Sequence, residues 1–249
     1  MRTAHRHLAP AAAALLGVAA VALGAGTALG QGKGGRVNDR FWTVPDYAAH
    51  GVRSVAVLQP TSYSNDVNAE KIAEGEWAQA LRGLPYRWVN SSNTNTLLRR
   101  TAAGDSLLKL ARRSIYETGR VDSLLATPIC RILRVQSLLS LHLDRWEQYK
   151  LEFNQSGYPS TTVTLKSALV DSTGRLLWTA TGTQVSEGPF QDPNAHLIGV
   201  KSSGLNPQPI QGQGGPPTYA ETMKAMLARW VPQFPPLPPA PAPADSAKR

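Results

Sequence analysis

His142, Asp144 and Trp146 occur at alternate positions in the run Leu141-His-Leu-Asp-Arg-Trp146. On a strand such residues point the same way, and an imidazole beside a carboxylate can shuttle a proton or bind a metal ion. Two potential ligands are fewer than a protein metal site supplies, so the trio is expected to be a polar sheet face capped by an aromatic ring. Glu70, Glu74 and Glu76 bring three carboxylates close together in sequence. Their simplest role is to solvate the outer side of a helix. Cys130 could act as a nucleophile only beside a positioned base; flanked by Ile129 and Ile132, it is expected to be a small buried apolar residue. No His-Glu-x-x-His, Gly-x-Ser-x-Gly or phosphate-loop pattern occurs, and a single cysteine excludes a cysteine-pair metal site. Catalytic residues, metal ligands and cofactors are therefore all expected to be absent.

Charge marks the one candidate binding region. Arg99, Arg100, Lys109, Arg112, Arg113, Arg120, Arg131 and Arg134 lie among only Asp105, Glu117 and Asp122, a local balance of +5. One helical side bearing Arg99, Arg100, Arg112 and Arg113 would attract phospholipid or an acidic envelope polymer. The alternative is an ordinary solvated helix surface.

These side chains need elements to hold them, and the first thirty residues are not among those elements. Arg2 and Arg6 precede the apolar run "AAAALLGVAAVALGAG", the pattern of a secretory signal peptide. Ala28 and Gly30 place its cleavage before Gln31. Removal leaves 219 residues and lowers the formal charge from +9 to +7. Gln31 and Gly32 stand where a lipid-anchored protein has a cysteine immediately after the cleavage site, so lipid anchoring there is not expected. Export also disfavours a nucleic-acid partner. A leader over 31–51, a domain over 52–231 and a Pro-rich extended tail over 232–249 complete the expected organisation.

Within the domain, "VRSVAVLQP" reads as a strand buried on both faces. "SNDVNAEKIAEGEWAQALRG" reads as a helix capped by Asn65 or Asp66 and ended by Gly83. "PYRWVNSS" reads as a short strand, and "LLRRTAAGDSLLKLARRSIYETG" carries helical spacing that stops at Gly119. Pro128 is expected to open a short helix. Leu139, Leu141 and Leu143 alternate with polar residues, the period of a half-buried strand. Next, "TTVTLKSALVDSTGRLLWTATGT" reads as a hairpin turning at Asp171–Gly174, with Val163, Leu165 and Leu169 on one face and Leu176, Trp178 and Ala180 on one face of its second strand. A Gly- and Pro-rich loop over 187–217 leads to an amphipathic helix, where Thr218 and Glu221 have capping-box spacing. The fold class is α/β (α+β), a single mixed sheet with a carboxyl-terminal antiparallel hairpin, packed by helices.

Three stretches carry a family resemblance: "SVAVLQPTSYSNDVNAE", "TPICRILRVQSLLSLHLDRWEQY" and "TTVTLKSALVDSTGRLLW". In that order the chain resembles the GNA-type bacterial envelope lipoproteins, within the wider periplasmic α/β group of CsgG, LpoB and the amino-terminal domain of TolB. It departs from them in having no acylated cysteine, and in carrying Arg134-Val-Gln-Ser137 where the family has a small-residue turn. The resemblance implies a non-catalytic periplasmic accessory or scaffold role in an envelope assembly or secretion system, peripheral to the outer membrane, with an envelope protein as partner. A binding protein or carrier for an anionic lipid or glycan is the alternative, and a hydrolase built on His142 and Asp144 or on Cys130 stands third.

Overall fold

The computed structural model describes residues 36–152, 155–191 and 215–238. The expected signal segment, most of the 187–217 loop and the tail from residue 239 lie outside the described residues. Seven strands form one mixed sheet: β1 (Val37–Thr43), β2 (Ser54–Val57), β3 (Thr61–Ser62), β4 (Arg87–Val89), β5 (Ser137–Tyr149), β6 (Ser160–Asp171) and β7 (Leu176–Glu187). Their order is β1-β7-β6-β5-β2-β4, with β3 also pairing to β5. The β2–β4, β2–β5 and β3–β5 pairs are parallel, and β5, β6, β7 and β1 run antiparallel. The expected fold class is the observed one.

Helices α1 (Ala69–Leu81) and α5 (Tyr219–Trp230) cover one face of the sheet. Their Ala73, Trp77, Met223, Met226, Leu227 and Trp230 pack with Val55, Leu139, Leu141, Leu143, Val163, Leu165 and Trp178. Helices α2 (Ser91–Leu98), α3 (Ala102–Thr118) and α4 (Ser123–Leu133) cover the other face over its parallel strands and the turn end of the β6–β7 hairpin, around Ala56, Leu58, Leu138 and Val170. Among the described residues no helix is long and apolar enough to cross a membrane.

Several boundaries differ from the sequence reading, each for a local reason. The leader does not run to Gly51, because Val37–Thr43 pairs along β7 from Gln184 to Trp178. Asp39 holds this strand down by accepting hydrogen bonds from Arg229 Nε (2.8 Å) and Trp230 Nε1 (3.2 Å) of α5. Its carboxylate lies across Gly182, where a Cβ would collide with it. The tail does not begin at 232 either. Phe234 is buried against Trp178, Tyr86 and Trp88, and the carbonyls of Gln233 and Pro235 accept from Trp178 Nε1 (3.0 Å) and the Tyr86 hydroxyl (2.8 Å).

Helix α2 forms directly after β4 because the Asn90 side chain caps it through Asn93 N–H. The long helical stretch is therefore two helices, the second capped by Thr101. Helix α1 starts at Ala69, with Asp66 accepting the Asn68 N–H instead of capping the helix. Helix α4 starts at Ser123 on an Asp122 cap, so Pro128 sits inside it and not at its head. The capping box of Thr218 and Glu221 forms as its spacing predicts. So does the hairpin turn, where Gly174 has φ 85° and Asp171 Oδ1 accepts from Thr173 N–H, Thr173 Oγ1 and Arg175 N–H.

Two bulges redistribute side chains. A register shift between Leu169 and Val170 lets Leu177 join Trp178 on the α1/α5 face, while Leu176 turns to the opposite cluster. A second shift, at Asp144, is taken up below.

Candidate functional site

Two crevices flank the carboxyl end of β2. The chain leaves β2 through α1 on one face to reach β4, then passes through α2, α3 and α4 on the other face to reach β5 on the far side of β2. Such a reversal of strand order opens a space beyond the strand ends, where open α/β sheets bind ligands. On the α1 side the space is a cavity of about 230 Å³ walled by Val57, Trp77, Leu81 and Trp88. Its polar rim is Glu74, Arg82, Asn90 and Ser91, and Ser91 Oγ donates to Glu74 Oε1. This shape suits a small apolar body with a polar end.

On the α3 side a smaller cavity of about 80 Å³ is lined by Leu58, Gln59, Arg99, Asp105, Leu108, Lys109 and Arg112, among others. The structure thus brings Arg99 and Arg112 to one opening and leaves Arg100 and Arg113 off it. Arg112 forks onto both Glu70 carboxylate oxygens (2.6 and 2.9 Å), Arg113 Nε bonds Glu117 (2.8 Å), and Lys109 bonds Asp105 (2.8 Å). Those pairings hold the Asp105 carboxyl below its ordinary range and raise the Arg113 guanidinium. Arg99 and Arg100 form no salt bridge among the described residues. The three glutamates do not converge: Glu70 faces Arg112, Glu74 faces Ser91, and Glu76 borders the groove between α1 and α5.

The His142 cluster is more closed than its alternating pattern suggests. Strand β5 is buried on both faces from Ser137 to Leu143, because α3 and α4 cover its second side. Ser140 Oγ, expected at a solvated face, instead donates to Gly119 O at the end of α3 (3.2 Å). His142 Nδ1 lies 2.7 Å from Thr61 Oγ1, and its ring meets the edges of Tyr63 and Tyr116. Nε2 is 3.2 Å from Asp144 Oδ1 but off the line a hydrogen bond needs. Asp144 Oδ2 pairs with Lys166 Nζ at 2.6 Å. Burial pushes the imidazole pKa below 6.5, against the pull of Asp144.

Thr61, His142 and Asp144 thus line up as a hydroxyl, an imidazole and a carboxylate, but Thr61 is 1 % and His142 0 % exposed, leaving no approach for a substrate. Trp146 is not their neighbour. The extra residue at Asp144 reverses the alternation, so Trp146 joins Leu143 on the α5 face, stacks on Tyr219 at 4.3 Å, and donates to Asp66 Oδ2.

Cys130 is 2 % exposed in the α4 core, and burial followed by the charge of Asp171 pushes its thiol up to about 12, which leaves it protonated. Among the described residues no group of His, Cys, Asp and Glu could hold a metal ion.

Sequence reasoning missed the uncovered half of the sheet. Thr162, Thr164 and Lys166 on β6, Thr179, Thr181 and Thr183 on β7, and Asn38, Arg40 and Trp42 on β1 share the face opposite α5. They are part-exposed or exposed. The Thr–x–Thr alternation of the hairpin carried the signal, but the open face needs β1 to complete it.

No family model matches the chain, and no curated protein matches it. Solved structures do. Lipoprotein GNA1162 from Neisseria meningitidis is similar at TM-score 0.41 and 19 % identity, over 59 % of this chain and 90 % of that one. A PelC dodecamer from Paraburkholderia phytofirmans is similar at TM-score 0.36 and 21 % identity, over 60 % and 81 %. The LpoB carboxyl-terminal domain from Salmonella enterica is similar at TM-score 0.32 and 16 % identity, over 53 % and 82 %. The GNA-type and LpoB folds that three sequence stretches resemble are thus among the folds to which this chain is similar.

Proposed function

We propose that the protein is a non-catalytic accessory or scaffold component of a bacterial envelope assembly, exported by its amino-terminal segment, and that a protein partner docks on the open half of its sheet. One observation carries this reading: the antiparallel half is helix-covered on a single face, while Thr61, His142 and Cys130 are buried. That face is polar, as one-sided antiparallel sheets commonly are, with the indole of Trp42 exposed among its hydroxyls. Its rows of Thr hydroxyls, with Arg40 and Trp42 at one side, offer hydrogen bonds and an aromatic anchor to a protein surface.

Photo-crosslinking residues at positions 181 and 164, introduced into the tagged protein in its native host, test the reading. Capture of one stoichiometric envelope protein from both positions, and not from the solvated face of α3, is the expected outcome. Equal capture from all three positions would sink it.

A second reading, a binder of anionic lipid or glycan, rests on Arg99 and Arg100, the two arginines of the expected patch that form no salt bridge among the described residues. Arg99→Glu/Arg100→Glu should then abolish binding to anionic vesicles while neutral vesicles bind neither protein. Unchanged anionic binding would discard the patch.

A further inference from the structure

Strand β1 closes one side of the sheet and uses only one of its own two edges. At its ends the hydrogen bonds to β7 come from Arg36 O (3.1 Å, from Val185 N–H) and Val44 N–H (2.9 Å, to Leu177 O). In an antiparallel ladder alternate residues turn their N–H and C=O groups to the same side. The even-numbered residues therefore face β7, and Val37, Asp39, Phe41 and Thr43 direct theirs outward. Among the described residues no strand receives them. Val37, Phe41 and Trp42 are 49, 37 and 46 % exposed, an apolar edge of the kind folded proteins usually cover. The strand is nevertheless firmly seated, by Asp39 on Arg229 and Trp230 and by the Phe41 ring edge-on to Trp230 at 6.1 Å.

We infer that the free edge of β1 pairs with β1 of a second copy of this chain, antiparallel about a two-fold axis normal to the sheet and passing at Phe41. Such an axis keeps both sheets' faces in common, so only residues of like parity can stand opposite one another. Three axes near the middle of the strand satisfy that condition, and charge separates them. An axis at Asp39 opposes two carboxylates, and one at Arg40 opposes two guanidinium groups; like charges directly opposite destabilise a ladder. The axis at Phe41 opposes Phe41 to its own copy, Asp39 to Thr43, and Arg40 to Trp42. The last pair sets a guanidinium beside an indole face on the open side of both sheets. Asp39 is already neutralised by Arg229, so nothing charged is left uncompensated at its position. The outward groups of Asp39, Phe41 and Thr43 find partners in this register. The two open sheet halves become one continuous surface.

Sedimentation equilibrium of the mature chain tests the pairing, with two variants beside it. The expected result is twice the chain mass. Thr43→Pro removes an outward N–H and leaves the bonds to β7 intact. It should shift the mass to that of a monomer with an unchanged far-ultraviolet circular dichroism spectrum. In Phe41→Cys the two introduced thiols stand opposite each other at a Cα separation of about 5.5 Å, within disulfide range, and should close a covalent dimer under oxidation. Arg40→Cys alone should not; a mixture of Arg40→Cys and Trp42→Cys chains should, which serves if Phe41→Cys fails to fold. Cys130 is buried and does not compete. A wild-type monomer at every concentration overturns the inference. So does an assembly of any size in which Arg40→Cys crosslinks to itself, or in which neither Phe41→Cys nor the mixture crosslinks.

Discussion

His142 is held neutral by its surroundings. Thr61, Tyr63 and Tyr116 enclose the ring, with Asp144 and Lys166 the charged groups beside it. In the unfolded chain the imidazole takes up its proton near 6.5, whereas burial holds the folded group below that. The unfolded state therefore binds more protons as the pH falls. The stabilising contribution is fully present above 6.5 and is lost as the pH drops from there through the folded value. A urea midpoint that falls between neutral pH and about pH 5, with a smaller fall in His142→Gln, is the expected outcome. A midpoint equally steep in both proteins would place the effect elsewhere.

Arg134 shows the other residue-scale stress. It ends α4 at φ 54°, the one described non-glycine residue in the left-handed region, where its Cβ crowds the backbone. The side chain is exposed, so Arg134→Gly should stabilise the protein by about 0.5–1 kcal/mol in chemical denaturation, the relief exceeding the entropy that glycine adds to the unfolded chain. The unusual turn was visible in the sequence as Arg134-Val-Gln-Ser137. The environment of His142 was not, because it depends on α3 crossing a sheet face and on a bulge at Asp144, neither of which leaves a periodic mark.

Among the elements, those defined by local chemistry were the most legible. The Thr218–Glu221 box, the Asp171–Gly174 turn and the Gly119 stop each act over a few residues, and each formed where its spacing placed it. Elements defined by distant partners were not legible. Strand β1 is extended because β7 lies beside it some 140 positions later in the chain. The short 3-10 turn Val231–Gln233 lies in a Pro-rich stretch that composition assigns to a tail, yet it delivers Phe234 into an aromatic pocket. Phe234→Ala should cost about 3–5 kcal/mol, the range for emptying a buried aromatic site. A loss below one kcal/mol would mean that the segment merely rests on the core.

At the scale of the whole molecule, two halves of one sheet are finished differently. The parallel half lies between α1 on one side and α2, α3 and α4 on the other, which is why β2 and the start of β5 are buried on both faces. The antiparallel half is a Thr-rich hairpin with helix on one side only. The hairpin's own alternation predicts that difference. It does not predict that the strand completing the open half comes from the far end of the chain. The connectivity also orders events in time. A ribosome delivers β1 first and β7 only after some 130 further residues, so Val37, Phe41 and Trp42 have no strand to pair with until the hairpin has been made. An apolar segment that waits so long for its partner is where a chaperone guarding the nascent chain would be needed.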